Sequence, residues 1–207
     1  MRKITGVVDY GAGNLFSVLR SLRKANVATE IVSSLEDILR VDYLIVPGVG
    51  AFGDRVRHMR EHGIFEAIKK FVQTGKPVLG ICLGTQLFLS CSHEFGRHEG
   101  LNIISGEVNR IPQEKDLAVP HVGWASLKGE RSYENTPLWM VSDKDYFYFT
   151  HSFVCFPDDP KNVLAKFSYG ANDLPAVIAK DNVIGCQFHP ELSSYPGIQL
   201  LKNFHQM

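Results

Sequence analysis

The amino-acid sequence predicts an α/β protein: a mostly parallel open sheet flanked by helices, with antiparallel strands added in the C-terminal half. Two observations carry this expectation. In the first half, short apolar runs alternate with amphipathic stretches, the pattern of repeated β-α units that build a parallel sheet. After Gly100 shorter β-rich segments dominate, and their spacing suggests an antiparallel or mixed layer joined to the parallel core. No internal repeat, low-complexity tract or linker divides the chain, so residues 1–207 are expected to form a single domain.

Ile4 to Asp9 reads as the first strand and ends in the turn Gly11-Ala12-Gly13. Asn14 is placed to cap a helix whose apolar positions, Leu15, Val18, Leu19 and Leu22, recur at three- and four-residue steps. Ala28 to Val32 is the second strand. Ser33 and Glu36 have capping-box spacing ahead of a short helix ending near Arg40, and Tyr43 to Val46 returns as a fully buried strand. That strand runs into Pro47-Gly48-Val49-Gly50. A helical region from Asp54 is interrupted by Gly63, after which Phe65, Ile68, Phe71 and Val72 supply an inward face. Lys76 to Ile81 is the fourth strand, followed by a helix over Thr85 to Leu89. Further strands are expected at Tyr146 to Thr150, Val163 to Phe167, Ala176 to Ala179 and Val183 to Phe188, with a closing helix over Pro196 to Phe204.

Composition excludes several classes of function. The 22 basic and 22 acidic residues leave no net field, so the electrostatic footprint of a nucleic-acid binder is missing. No run approaches the roughly twenty apolar residues that cross a bilayer, and the N-terminus lacks the long apolar region of a signal peptide. Neither a nucleic acid nor a membrane is an expected partner. Cys82, Cys91, Cys155 and Cys186 form no CxxC pair and show no histidine spacing suited to zinc, so no metal or cofactor is expected. The cysteines read as reduced thiols of a cytoplasmic protein.

Gly80-Ile81-Cys82-Leu83-Gly84 has the G-x-nucleophile-x-G form of a nucleophile elbow, in which glycines allow a sharp turn from strand to helix that presents the side chain. An apolar strand before it and a helical stretch after it supply the context. At a helix N-terminus the sulfur faces unpaired N–H groups and the positive end of the helix dipole, which stabilise negative charge. The competing reading is a small buried cysteine packed beneath the sheet.

Phe188-His189-Pro190-Glu191 follows an apolar strand, so His189 sits where a strand emerges onto a loop, a favoured position for catalytic groups. An imidazole can take the thiol proton and later deliver it to a leaving amine. A carboxylate two residues on, across a turn stiffened by Pro190, can fix its tautomer. Cys82, His189 and Glu191 would then be a complete catalytic triad. His121 and His151 compete for the role of base, but neither is followed by a carboxylate within two residues.

With Gly80-Ile-Cys82-Leu-Gly-Thr-Gln86 and Gln187-Phe-His189-Pro-Glu191 in this order, the sequence resembles the class I glutamine amidotransferases, whose domain is flavodoxin-like. Asp9 to Asn14, Pro47 to Gly50, Pro120 to Trp124 and Tyr148 to Ser152 narrow the likeness to the glutaminase subunits of imidazole glycerol phosphate synthases. The resemblance implies a glutaminase in which Cys82 attacks the carboxamide of glutamine. Backbone N–H groups of Leu83 and of the Gly48-Val49-Gly50 loop would form the oxyanion hole. It also implies that Gly48, Gln86, Glu94, Ser152 and Phe153 bind the substrate. A TIM-barrel synthase is implied as heterodimer partner, with Asn14, His121 and Trp124 as candidates for the docking face.

Val122, Ala125 and Leu192 depart from the pattern usual in that subfamily, at places used to meet the synthase. They leave open a paralogue serving another synthase, for example one that modifies a surface sugar. A free-standing thiol hydrolase of γ-glutamyl substrates is a second alternative. A catalytically dead binding module is the third, and it would need a broken triad.

Overall fold

The structure, a computed structural model, describes residues 3–11, 14–115 and 117–207. The parallel half is β1 (Thr5–Val8), α1 (Leu15–Lys24), β2 (Thr29–Val32), α2 (Leu35–Arg40), β3 (Tyr43–Val46), α3 (Phe52–Glu61), α4 (Ile64–Gln73) and β4 (Val78–Ile81). A single helical turn, α5 (Leu83–Gln86), follows. Then come β5 (Cys91–Ser92), β6 (His98–Glu99), β7 (Gly106–Arg110), β8 (His121–Ser126), β9 (Lys128–Gly129), β10 (Tyr146–His151) and β11 (Phe153–Pro157). β12 (Val163–Tyr169), β13 (Asn172–Lys180), β14 (Val183–Cys186) and α6 (Ser194–Phe204) complete the chain.

Among the described residues the main sheet has eight strands in the order β2-β1-β3-β4-β14-β13-β12-β9. The first five run parallel, and β13, β12 and β9 extend that edge antiparallel. The added layer of the C-terminal half is therefore partly a continuation of the core sheet. The remainder forms the ribbon β10-β8 and a small sheet, β11-β7-β5-β6. β4 and β14 are neighbours in register, Ile81 beside Cys186, so the residues that leave their carboxyl ends emerge together. Ligands of open α/β sheets bind at such ends.

Side chains alternate between the two faces of the sheet, as pleated strands require. Val7, Ile45 and Leu79 join a cluster with Leu22, Phe147, Phe149, Phe167, Phe188 and Phe204, while Val8, Leu44 and Val46 join Phe52, Phe65, Ile68 and Phe71 on the opposite face. Most sequence expectations meet an observed element within a few residues at each end. Asn14 caps α1 by accepting from the Ser17 N–H at 3.1 Å, and Gly63, at φ +72°, separates α3 from α4. Ala12 and Gly13 of the expected turn lie outside the described residues.

Two expectations need correction. The cap of α2 is Ser34, not Ser33: its hydroxyl accepts from the Asp37 N–H at 3.1 Å. The helix expected to run to Leu89 stops at Gln86, where the chain tightens: the N–H groups of Phe88 and Leu89 donate to the carbonyls three residues back, Thr85 and Gln86, at 3.1 Å each. The N–H groups of Leu101, Ile103 and Asn102 bond to the carbonyls of Leu87, Phe88 and Leu89. Tertiary hydrogen bonding overrides local propensity there.

Candidate active site

Cys82 joins β4 to α5 at φ +51° and ψ −109°, a backbone conformation that L-residues adopt rarely and at a cost of about 1–3 kcal/mol. Hydrogen bonds on both sides hold it there. The Cys82 N–H donates to the Cys186 carbonyl at 2.8 Å, and the Cys82 carbonyl accepts from Thr85 at 3.0 Å. Close packing explains the flanking glycines. A Cβ on Gly84 would stand 1.8 Å from the Val46 carbonyl oxygen, and one on Gly80 would stand 2.5 Å from the Phe88 ring. With α5 only one turn long, the helix dipole expected from the sequence is small, but the unpaired N–H groups of a first turn remain.

His189 leaves β14 on the neighbouring strand. Its Nδ1 lies 2.8 Å from Glu191 Oε1, with both side chains buried. Its Nε2 is buried without a hydrogen bond of ordinary length and angle, and the ring lies against the Cys82 sulfur. Burial alone would lower the imidazole pKa. The Cys82 sulfur and then Glu191 outweigh that and push it up to about 10. The 189–193 turn is pinned in turn: Ser193 Oγ donates to the His189 carbonyl at 2.6 Å and accepts from the Tyr148 N–H at 2.9 Å. Ser21 Oγ also donates to the Glu191 carbonyl at 3.0 Å.

Beside these groups opens a pocket of about 250 Å³ lined by Val49, Gly50, Cys82, Leu83, Gln86, Glu94, Thr150, His151, Ser152 and Phe153. It falls below the range of drug-sized sites and suits a small amino acid. Seven of the lining residues, Val49, Gly50, Leu83, Gln86, Glu94, Ser152 and Phe153, are those that the resemblance assigns to the oxyanion hole and to substrate. Gly48 is not in the wall. It packs beneath the loop, where a Cβ would meet Tyr10, Leu83 and Gly84 within 3 Å, and the Tyr10 hydroxyl donates to the Pro47 carbonyl alongside. Glu94 Oε2 accepts from the Phe52 N–H at 2.7 Å, which ties one carboxylate oxygen to the start of α3. Gln86 Nε2 donates to the Phe153 carbonyl at 3.0 Å.

His151, a weaker candidate for the base on sequence grounds, is in the pocket wall. Its Nδ1 donates to the Phe153 carbonyl at 3.0 Å, so Nε2 carries the lone pair, buried and without a partner. Burial, with His121 and His189 nearby, lowers its pKa to about 3. Its Nδ1 meets a backbone carbonyl, whereas the Nδ1 of His189 meets a carboxylate, so of the two only His189 has a charged partner to steady an imidazolium. Sequence reasoning gave Gln187 no role. Fully buried, it donates from Nε2 toward the Cys82 sulfur at 3.7 Å, and its place directly after β14 was the available signal.

The expected docking residues separate. Trp124 is 52% exposed on the outer face of β8, edge-on to Tyr148 across the ribbon. Asn14 is exposed at the start of α1. His121 points the other way, buried among Phe149, Phe167 and Tyr169, so its placement on a docking face is corrected: the alternation of β8 turns its ring inward. No helix among the described residues is long and apolar enough to cross a membrane.

Residues 6–207 match the family described as glutamine amidotransferase class-I. The imidazole glycerol phosphate synthase subunit HisH of Caldanaerobacter subterraneus subsp. tengcongensis is 44% identical over 203 residues, covering 98% of this chain and 97% of its own. The subunit HisH 1 of Legionella pneumophila (strain Paris) is 41% identical over 208 residues, covering 97% and 98%. Among solved structures, one described as a glutamine amidotransferase superposes with a TM-score of 0.75 at 21% identity, over 98% of this chain and 99% of that one. PurLQS from Thermotoga maritima gives 0.70 at 21% identity, over 100% and 97%.

Proposed function

Since the chain belongs to the class I glutamine amidotransferases, we propose that Cys82, His189 and Glu191 are its catalytic triad and that it passes ammonia to an imidazole glycerol phosphate synthase partner. The observation that carries the triad is the His189 ring, held between the Cys82 sulfur and the Glu191 carboxylate at the edge of a pocket sized for an amino acid. The sulfur attacks the carboxamide carbon of glutamine. The N–H of Leu83 and the loop of Val49 and Gly50 receive the oxyanion, where fixed donors stabilise the charge that develops. His189 gives its proton to the nitrogen as the C–N bond breaks, and ammonia leaves. A γ-glutamyl thioester remains on Cys82. Water then attacks this carbonyl while His189, now neutral, takes its proton, and the sulfur departs with glutamate formed. Glu191 keeps Nδ1 protonated throughout, which aims the Nε2 lone pair at the reacting atoms.

Glu94 holds the ammonium of the substrate, with Gln86, Ser152 and Phe153 around the rest of its amino-acid end. Gly48 contributes by letting the oxyanion loop lie close on Tyr10 and Leu83. Ammonia released into neutral water becomes ammonium, which is no nucleophile, so a sealed transfer to a TIM-barrel synthase completes the reaction. The relatives named as HisH subunits support that acceptor. Mixing the chain with the synthase of its own cell should stimulate glutamate release strongly over the chain alone. Cys82→Ala should abolish glutamine-dependent synthesis and leave ammonia-dependent synthesis by the complex intact. Glutamine-dependent turnover surviving that substitution would exclude Cys82 as nucleophile, and brisk turnover that no synthase alters would favour a free-standing hydrolase.

A further inference from the structure

The small sheet β11-β7-β5-β6 carries a grouping that neither the triad nor the pocket uses. We infer that Cys91, His93 and Glu107 form a binding site for a divalent cation of borderline softness, with zinc as the type ion. Cys91 and His93 are two apart along β5 and its continuation, so their side chains share one face. Glu107 is the registered neighbour of Cys91 on the parallel strand β7. The backbone holds this arrangement beyond the short strand, since the His93 N–H donates to the Val108 carbonyl at 3.0 Å.

The donor atoms converge. Cys91 Sγ lies 3.7 Å from Glu107 Oε1, His93 Nε2 lies 3.1 Å from Glu107 Oε2, and all three residues offer ligand atoms within 4.8 Å of one another. Bonds of about 2.0–2.3 Å in a tetrahedral zinc site space its ligands by roughly 3.3–3.7 Å, so only small side-chain shifts are needed. A thiol proton and an imidazole proton point at one carboxylate. Replacing them by a single cation releases the thiol proton to solvent and moves the imidazole proton to Nδ1, which leaves a thiolate, a neutral imidazole and a carboxylate as ligands.

Exposure supports a bound ion rather than a sealed core contact. Cys91 is covered, while the side chains of His93 and Glu107 are 42% and 50% exposed, which leaves an entry path and room for a fourth ligand. Water can fill that position, since Glu99, opposite Cys91 on β6, has a carboxylate oxygen 3.9 Å from the Arg60 guanidinium. The Arg97 guanidinium beside the thiol opposes a cation, but the side chain is exposed and can swing into solvent. Glu94, in the glutamine pocket, follows His93 directly, so an ion here would stiffen the segment that presents it.

Titrating the full-length Cys82→Ala chain with cobalt(II) tests the site without interference from the thiol at the strand-to-helix elbow. One ion per chain should bind, with a near-ultraviolet thiolate-to-cobalt band that zinc displaces. Cys91→Ser should remove the band. His93→Gln and Glu107→Gln, at exposed positions where folding is not at risk, should each raise the half-saturation concentration at least about tenfold. Arg97→Gln should lower it. Cobalt held by the cluster of His58, Glu61 and His62 would give no sulfur band. The inference fails if no sulfur band appears, if the band survives Cys91→Ser, or if the His93, Glu107 and Arg97 variants all titrate like their parent.

Discussion

Two buried histidines about the pocket are driven in opposite directions, and each leaves a measurable trace. His189 is raised to about 10 because the Cys82 sulfur and the Glu191 carboxylate outweigh burial. A raised histidine adds stability that is complete below its unfolded value near 6.5 and drains away as pH climbs toward 10. Removing the sulfur removes the largest influence that raises it, so the His189 ring in Cys82→Ala should titrate at lower pH than in the intact chain, as followed by ring-carbon NMR. Identical titration curves would mean that sulfur and ring do not interact. His151 is the mirror case: burial lowers it to about 3, so the stability that depends on its neutral form is present above 6.5 and lost as pH falls toward 3. Thermal unfolding of His151→Gln should show an acid-side loss shallower than that of the parent, by at most about 1.4 kcal/mol per pH unit. The strand-to-helix turn at Cys82 and the pairing of His189 with Glu191 were legible because flanking glycines, a following proline and a nearby carboxylate mark them locally. Gln187 and the inward turn of His121 were not, since each depends on which face of a strand looks at which neighbour.

The elbow between β4 and α5 stores strain that a substitution can release. Cys82 sits at φ +51° with a Cβ, and Ala retains that Cβ where Gly does not. Cys82→Gly should therefore be more stable than Cys82→Ala by about 1–2 kcal/mol in denaturant unfolding, although both lack the proposed nucleophile. Equal stabilities would show that the surrounding hydrogen bonds impose no strain. The parallel strands were legible in the sequence for a simple reason: buried on both faces, β3 and β4 read as unbroken apolar runs. β8 was not, because its polarity is inverted. His121, Gly123 and Ala125 turn inward, whereas Val122 and Trp124 face out, so the strand shows no apolar face where a core strand would. The short strands β5, β6 and β7 were hidden for another reason. They are defined by the carbonyls and neighbours they meet across the fold: β5 and β6, two residues each, carry no period of their own, and β7 alternates over only five.

At the scale of the whole molecule, that inverted strand offers a surface for the proposed synthase partner. Val122, 59% exposed, and Trp124 stand on the outer face of the β8-β10 ribbon, beside Tyr148 and Thr150 on the paired strand. Thr150 lines the pocket and the Tyr148 carbonyl accepts the His189 N–H at 2.8 Å, so this apolar face is tied to the proposed catalytic groups through one strand. Leu192, partly exposed directly after Glu191, extends the patch across the 189–193 turn. A partner seated there would press on the backbone that positions His189, which couples docking to catalysis without any distant relay. Aromatic residues at the centre of an interface typically contribute about 2 kcal/mol or more, roughly thirtyfold in Kd. Trp124→Ala should therefore weaken binding of the synthase by about that factor in calorimetry and should lower stimulated glutamate release at limiting partner. Its unfolding midpoint should stay close to that of the parent, since the ring packs on the surface. Undiminished affinity in Trp124→Ala would move the docking face elsewhere and leave Val122 and Trp124 as an exposed patch in search of another occupant.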